Sequence, residues 1–206
     1  MIRLHHLNKS RSLRILWLLE ELQVPYELVS YKRNPETQLA PESLKQIHPL
    51  GKSPVIEIDD QVISESGAIT TILIEKFAPE RLRPNLDSPE YAKYLQWIEF
   101  AESSLMVPLL LEIFTQGAGI KDNVFLTNYI AKEKTNLLTY LDNELEGKLY
   151  LLGDKLSGAD FMLCFSLIAL ERKKELDNYL NIKRYVQNLS TLESYKRAMG
   201  IEYAQA

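Results

Sequence analysis

Three short stretches hold side chains whose types and spacing could do chemistry. In HPLGKSPVIEI, residues 48–58, Gly51-Lys52-Ser53 has the last three residues of a phosphate-binding loop. Such a loop also needs a glycine five positions earlier and a strand leading into a helix. That position is Gln46, and here a short helical pattern leads into a strand, so the phosphate reading fails. Pro54 then has two readings. It either opens a strand, where a missing N–H is tolerated, or its bond to Ser53 is cis. A cis bond would turn the Ser53 N–H and C=O outward, free to pair with an extended peptide.

The second stretch is SESGAI, residues 64–69. In the plain reading Ser64 caps a helix and Glu65 suits the positive end of its dipole. The same N–H groups and the Ser66 hydroxyl would also hold a carboxylate, while Glu65 accepts from an ammonium. An acid and an amine bound side by side describe the head of an amino acid. The third stretch is NKSRS, residues 8–12, where Asn8, Ser10 and Ser12 are helix caps or donors. A thiolate at that helix start would gain from the dipole and from a hydroxyl donor.

The elements that must position these stretches follow from period. IRLHHL (2–7) alternates as a strand, and 11–23 has helical spacing that Pro25 stops. YELVSY (26–31) is a second strand and ESLKQI (42–47) a short helix. VIEI (55–58) and QVIS (61–64) form a hairpin about Asp59-Asp60, and a helix runs from about Glu65 to Ala78. The order β-α-β-α-β-β-α is an α/β domain with one parallel pair and an antiparallel hairpin. All three stretches fall along one edge of its sheet.

Pro79, Pro84 and Pro89 then mark a stiff linker. Beyond it only helical patterns recur, at 90–117, 122–146, 158–177 and 190–203, broken at Gly117-Ala118-Gly119, Gly147 and Gly153. The expected organisation is therefore 1–80 α/β, 81–89 linker, and 90–206 all-α.

The 206 residues are 46% hydrophobic and 25% charged, the balance of a globular protein with a sizeable core. A net charge of −4 argues against binding nucleic acid or anionic membranes. The start MIRLHHLNKSRS lacks a secretory pattern, and a lone Cys164 fits a reducing compartment, so a cytoplasmic protein is expected. Adjacent His5 and His6 point to opposite strand faces, and no metal is expected there.

With these residues assembled, the chain resembles the cytosolic glutathione transferases, in particular bacterial and yeast-like members of the serine-containing type. HPLGKSPVIEIDD is similar to the family's cis-proline loop, ISESGAI to its glutamyl-binding turn, and LLGDKLSGADFML (151–163) to its buried capping motif, with Ser157 and Asp160 in the capping-box positions. The resemblance implies a thioredoxin-like first domain and a helical second one. It implies glutathione as co-substrate, no metal, a homodimer, and a role in detoxification. Glu65 and Ser66 would hold the γ-glutamyl group, Ser53 and Pro54 the cysteinyl part, and Lys52 a carboxylate. Ser10 would donate to the sulfur, with Asn8, the Arg11 backbone N–H and Ser12 as alternatives. A small hydrophobic electrophile would meet Leu7, Tyr94, Trp97, Ile98, Ala101 and Leu105. Peroxidase action on organic hydroperoxides, and a non-catalytic interaction module, are the rival functions.

Overall fold

A computed structural model describes residues 1–120 and 122–205. They form two compact units, Met1–Asn85 with Asn188–Ala206, and Leu86–Gln187.

The first unit is built on a four-stranded sheet, β1 (Ile2–Leu7), β2 (Tyr26–Tyr31), β3 (Val55–Ile58) and β4 (Gln61–Ser64), in the order β2-β1-β3-β4. β1 runs parallel to β2, from Ile2 opposite Tyr26 to Leu7 opposite Tyr31. It runs antiparallel to β3, with His5 opposite Val55. The β3–β4 hairpin turns at Asp59 and Asp60, both in the left-handed region (φ 49° and 61°). That is the geometry a two-residue turn needs to match strand twist, and aspartate tolerates it better than most residues.

Helix α1 (Ser12–Leu22) buries Leu13, Ile15, Leu16, Trp17, Leu18 and Leu19, so it is apolar nearly all round and needs cover on several sides. It receives that cover from β1, from α2 (Ser66–Phe77) and from α9 (Glu193–Ala204). The contact with α9 is specific. Trp17 Nε1 donates to Ser194 Oγ at 3.1 Å, and Arg197 donates to the Glu20 carboxylate at 2.8 Å. By compactness α9 groups with the sheet unit, whereas the sequence reading placed it in the 90–206 helical segment. Loss of strand periodicity marks where strands stop; it does not say where later helices pack.

Other boundaries also differ. The short helix before β3 is a 3-10 helix, Glu42–Gln46. Ser64 ends β4 and does not cap α2. The expected linker contains a one-turn helix, α3 (Pro79–Leu82), with Pro79 at its first position, where no N–H is needed.

The pattern read as one helix over 90–117 is two, α4 (Pro89–Phe100) and α5 (Met106–Gly117). Pro108 explains the break, since it has no N–H to donate one turn back and is tolerated only in a first turn. α6 (Val124–Glu144) and α7 (Gly158–Arg172) complete the second unit's long helices. α8 (Leu180–Thr191) has no counterpart in the expected list, although Ile182, Tyr185 and Leu189 are buried at helical spacing.

The start of α7 is fixed by a buried carboxylate. Asp160 accepts from the Ser157 N–H (2.8 Å), the Ser157 hydroxyl (2.9 Å), the Leu151 N–H (3.0 Å) and the Tyr185 hydroxyl (2.8 Å). Burial pushes the Asp160 carboxyl above its ordinary range, opposed by these four donors. Here the capping box also organises the 151–160 turn.

Candidate functional site

The strand register brings the three chemical stretches to one edge of the sheet. The turn at 8–11 follows the end of β1, Ser53-Pro54 precedes β3 beside that end, and the Ser64–Ser66 corner follows β4 opposite Val55.

In the first turn Ser10 is only 7% exposed. Its Oγ accepts the Ser12 N–H at 3.1 Å, which leaves its hydroxyl hydrogen available to another acceptor. Ser12 is fully buried, with Oγ 2.9 Å from His6 Nδ1, so it faces inward and is spent on the histidine. Arg11 is the N-cap residue of α1, which places its peptide at the positive end of the helix. Asn8 is half-buried, and its Oδ1 has no partner among the described residues.

At the second stretch the Ser53-Pro54 bond is cis and Pro54 is buried. Proline cannot extend the ladder, and the Ser53 side chain takes over. Its Oγ donates to the His5 C=O at 2.8 Å and accepts the Leu7 N–H at 3.1 Å. The Ser53 backbone N–H and C=O meet no hydrogen-bond partner among the described residues. Lys52 beside it is exposed and unpaired among them.

At the third stretch Glu65 is exposed, unpaired among the described residues, and has φ 71°, ψ 114°. A non-glycine residue held there costs about 1–3 kcal/mol, and such strain gathers at functional sites. The first bond of α2 is Ile69 N–H to Glu65 C=O at 2.9 Å. The N–H groups of Ser66, Gly67 and Ala68 therefore have no acceptor within the helix. Ser66 is buried and its Oγ accepts from Arg14 Nη1 at 2.9 Å.

Sequence reasoning missed Arg14, a fully buried cation that holds Ser66 from α1. Its signal was a charged residue inside the apolar run LRILWLL. His6 and Glu202 were missed too. Glu202 is 6% exposed and its Oε2 stands 2.8 Å from His6 Nε2, a close polar contact without the alignment of a hydrogen bond. On the other sheet face His5 bonds Glu57 at 2.7 Å and Tyr31 at 2.9 Å, and the His5 hydrogen bond holds the Glu57 carboxyl below its ordinary range.

The residues expected to wall an electrophile pocket lie in the interior. Leu7, Tyr94, Trp97, Ile98, Ala101 and Leu105 are each at most 3% exposed and serve as packed core. Trp97, for example, stacks on Tyr140 at 5.5 Å between ring centres. Helical spacing identifies a buried face but not whether a ligand or another side chain covers it. The helical unit instead has a cavity of about 640 Å³ between α5, α6 and residues 174–179, with Ile130, Lys134, Leu138 and Tyr179 in its wall.

This combination of a strand-extending proline loop, an open helix start and a helical unit defines a class. The chain belongs to the glutathione S-transferase family: residues 1–73 match the family's N-terminal domain and residues 127–193 its C-terminal domain. Glutathione S-transferase 3 of Schizosaccharomyces pombe is 36% identical over 208 residues, covering 92% of this chain and 83% of that protein. Glutathione S-transferase 1 of Saccharomyces cerevisiae is 31% identical over 231 residues, covering 98% of each. A crystal structure of a glutathione S-transferase from Actinobacillus pleuropneumoniae is 35% identical with a TM-score of 0.88, covering 98% of this chain and 93% of that one.

Proposed function

We propose that the chain binds glutathione along this sheet edge, ionises its thiol and joins the thiolate sulfur to the electrophilic carbon of small hydrophobic electrophiles, displacing a leaving group such as halide where one is present. The observation that carries the reading is the set of unspent groups at the edge. They are one hydroxyl hydrogen at Ser10, one unpaired peptide at Ser53, and an open helix start flanked by a free carboxylate.

Glutathione offers a partner for each. The γ-glutamyl carboxylate takes the N–H groups at the start of α2 and the Ser66 hydroxyl, which keeps its own hydrogen to donate while Arg14 supplies positive charge behind it. The ammonium goes to Glu65. The cysteinyl backbone pairs with the Ser53 N–H and C=O as a short added strand. The glycyl carboxylate falls to Lys52, and the sulfur to Ser10.

The chemistry needed from the protein is deprotonation and orientation. A free thiol of pKa about 8.5 is only about 3% thiolate at pH 7. Lowering it by two units requires about 2.7 kcal/mol of preference for the anion. A charge-assisted hydrogen bond supplies about 1.5–3 kcal/mol, and the start of α1 adds a dipole contribution of about 0.3–1 kcal/mol. The electrophile, a homodimeric assembly and a cytoplasmic detoxifying role belong to this reading through the family resemblance.

Glutathione titration by calorimetry, with conjugation of a small aryl halide, tests it. Saturable binding and turnover are expected. Absence of binding would overturn it.

A further inference from the structure

We propose that Glu202 on α9 and Arg33 after β2 are positioning residues for the sulfur donor, gripping the Lys9 peptide from both sides and so fixing Ser10. The proposal rests on the reading of this turn as the sulfur-binding one.

Lys9 has φ 52°, a left-handed conformation that a non-glycine residue leaves unless held. It is held at both ends. Its N–H donates to Glu202 Oε1 at 2.7 Å, and its C=O accepts from Arg33 Nη2 at 2.9 Å. Arg33 is itself anchored, donating through Nη1 to the Gln38 C=O at 2.8 Å.

The second Glu202 oxygen closes a ring of contacts on Ser10. Oε2 lies 2.8 Å from His6 Nε2, His6 Nδ1 lies 2.9 Å from Ser12 Oγ, and the Ser12 N–H donates to Ser10 Oγ at 3.1 Å. Ser10 is thus fixed through its backbone by way of Lys9 and through its hydroxyl by way of Ser12. Both routes lead back to one buried carboxylate. No member of the ring other than Ser10 need touch glutathione, and the glutamyl-binding corner at Glu65–Ser66 lies outside it. Loosening the ring should therefore misplace the sulfur donor and leave tripeptide binding in place.

The test compares wild type with Glu202→Ala, Glu202→Gln and Arg33→Ala. The readouts are glutathione Kd by calorimetry, kcat and KM, and the pKa of the bound thiol from the ultraviolet absorption of its thiolate. Glu202→Ala should lower kcat about tenfold and raise the thiol pKa, with Kd within about twofold, since small misplacements act on the reacting geometry. Glu202→Gln keeps an acceptor for the Lys9 N–H and should recover most of kcat. Arg33→Ala alters no residue of α9, although it removes a positive charge within electrostatic reach of Glu202; it should show the same pattern more weakly, and it decides the matter where Glu202→Ala fails to fold.

Unchanged kcat and thiol pKa in Glu202→Ala and Arg33→Ala would overturn the proposal, as would Kd and kcat worsening in parallel, or Gln behaving as Ala. A wild-type protein that bound no glutathione, or bound it with an unshifted thiol, would remove the proposed function itself. Shifted thiol in wild type with indifferent variants would remove only the positioning role.

Discussion

Ser10→Ala removes one hydroxyl hydrogen from the sheet edge, and its consequences can be worked through. Among the described residues the hydroxyl makes one bond, accepting the Ser12 N–H at 3.1 Å. Its hydrogen is available to a sulfur anion, and a bond of that kind contributes about 1.5–3 kcal/mol. Removing it should raise the pKa of bound glutathione by about 1–2 units at 1.36 kcal/mol per unit. From a starting value near 6.5, thiolate at pH 7 falls from about 75% to roughly 3–25%. The more basic thiolate is the better nucleophile, which returns part of the loss, whereas a sulfur without its anchor loses orientation. The net expectation is a fall in turnover of about one to two orders of magnitude. Spectroscopic titration of the bound thiolate reads the first effect and steady-state kinetics the second. Ser12→Ala is the contrast: it keeps the N–H that Ser10 Oγ accepts and loses only the hydroxyl that faces His6, so it should cost stability and raise the thiol pKa far less than Ser10→Ala does. An unshifted thiol in Ser10→Ala would refute the reasoning and pass the donor role to Asn8 or the Arg11 N–H.

Ser66→Ala should raise KM for glutathione about tenfold with kcat nearly constant, since it removes binding shared by ground and transition states; an unaltered KM would take Ser66 out of the site. Asp160→Ala strands the Leu151 N–H, the Ser157 N–H and the Tyr185 hydroxyl in the interior, and should lower stability by about 3 kcal/mol or more in denaturant titrations. A loss below about 1 kcal/mol would mean that the turn repairs itself. At Glu112, burial pushes the carboxyl up, but the Lys134 hydrogen bond at 2.7 Å and nearby positive charge outweigh it, so the group titrates below its ordinary range. Its contribution is therefore present above the unfolded value of about 4.3 and lost as pH falls through the lower folded value. Lys134→Met should lower Tm at pH 7 and flatten its decline towards pH 3; parallel profiles for wild type and variant would contradict this.

Much of the sheet unit was legible because its signals are local. Alternation in IRLHHL, the Asp59-Asp60 pair and the Ser-Pro junction each specify geometry within a few residues. The placement of Ser53 beside a cis bond and of Ser66 at a helix start was legible for the same reason. What the sequence withheld was carried by distant partners. Glu202 lies 193 residues from Lys9, and no spacing rule connects them. Arg14 was hidden by its apolar neighbours, although a charge amid LRILWLL signals a specific buried acceptor. The break between α4 and α5 was signalled by Pro108 and overlooked because the hydrophobic pattern runs on across it. The electrophile wall is not legible for a different reason, since burial against core and burial against ligand select the same residue types.

The attachment of α9 to α1 and to the Lys9 turn bears on how the molecule comes into being. During synthesis the strands and α1 emerge early, but the carboxylate that grips Lys9 appears only once residue 202 has cleared the ribosome. The Lys9 turn is therefore completed only after residue 202 is available, and a nascent or nicked chain lacking α9 exposes the flank of α1 that Trp17 turns towards Ser194. Loop closure over so long a span is slow relative to local helix formation, so competence to ionise a thiol should arrive after the sheet is already in place.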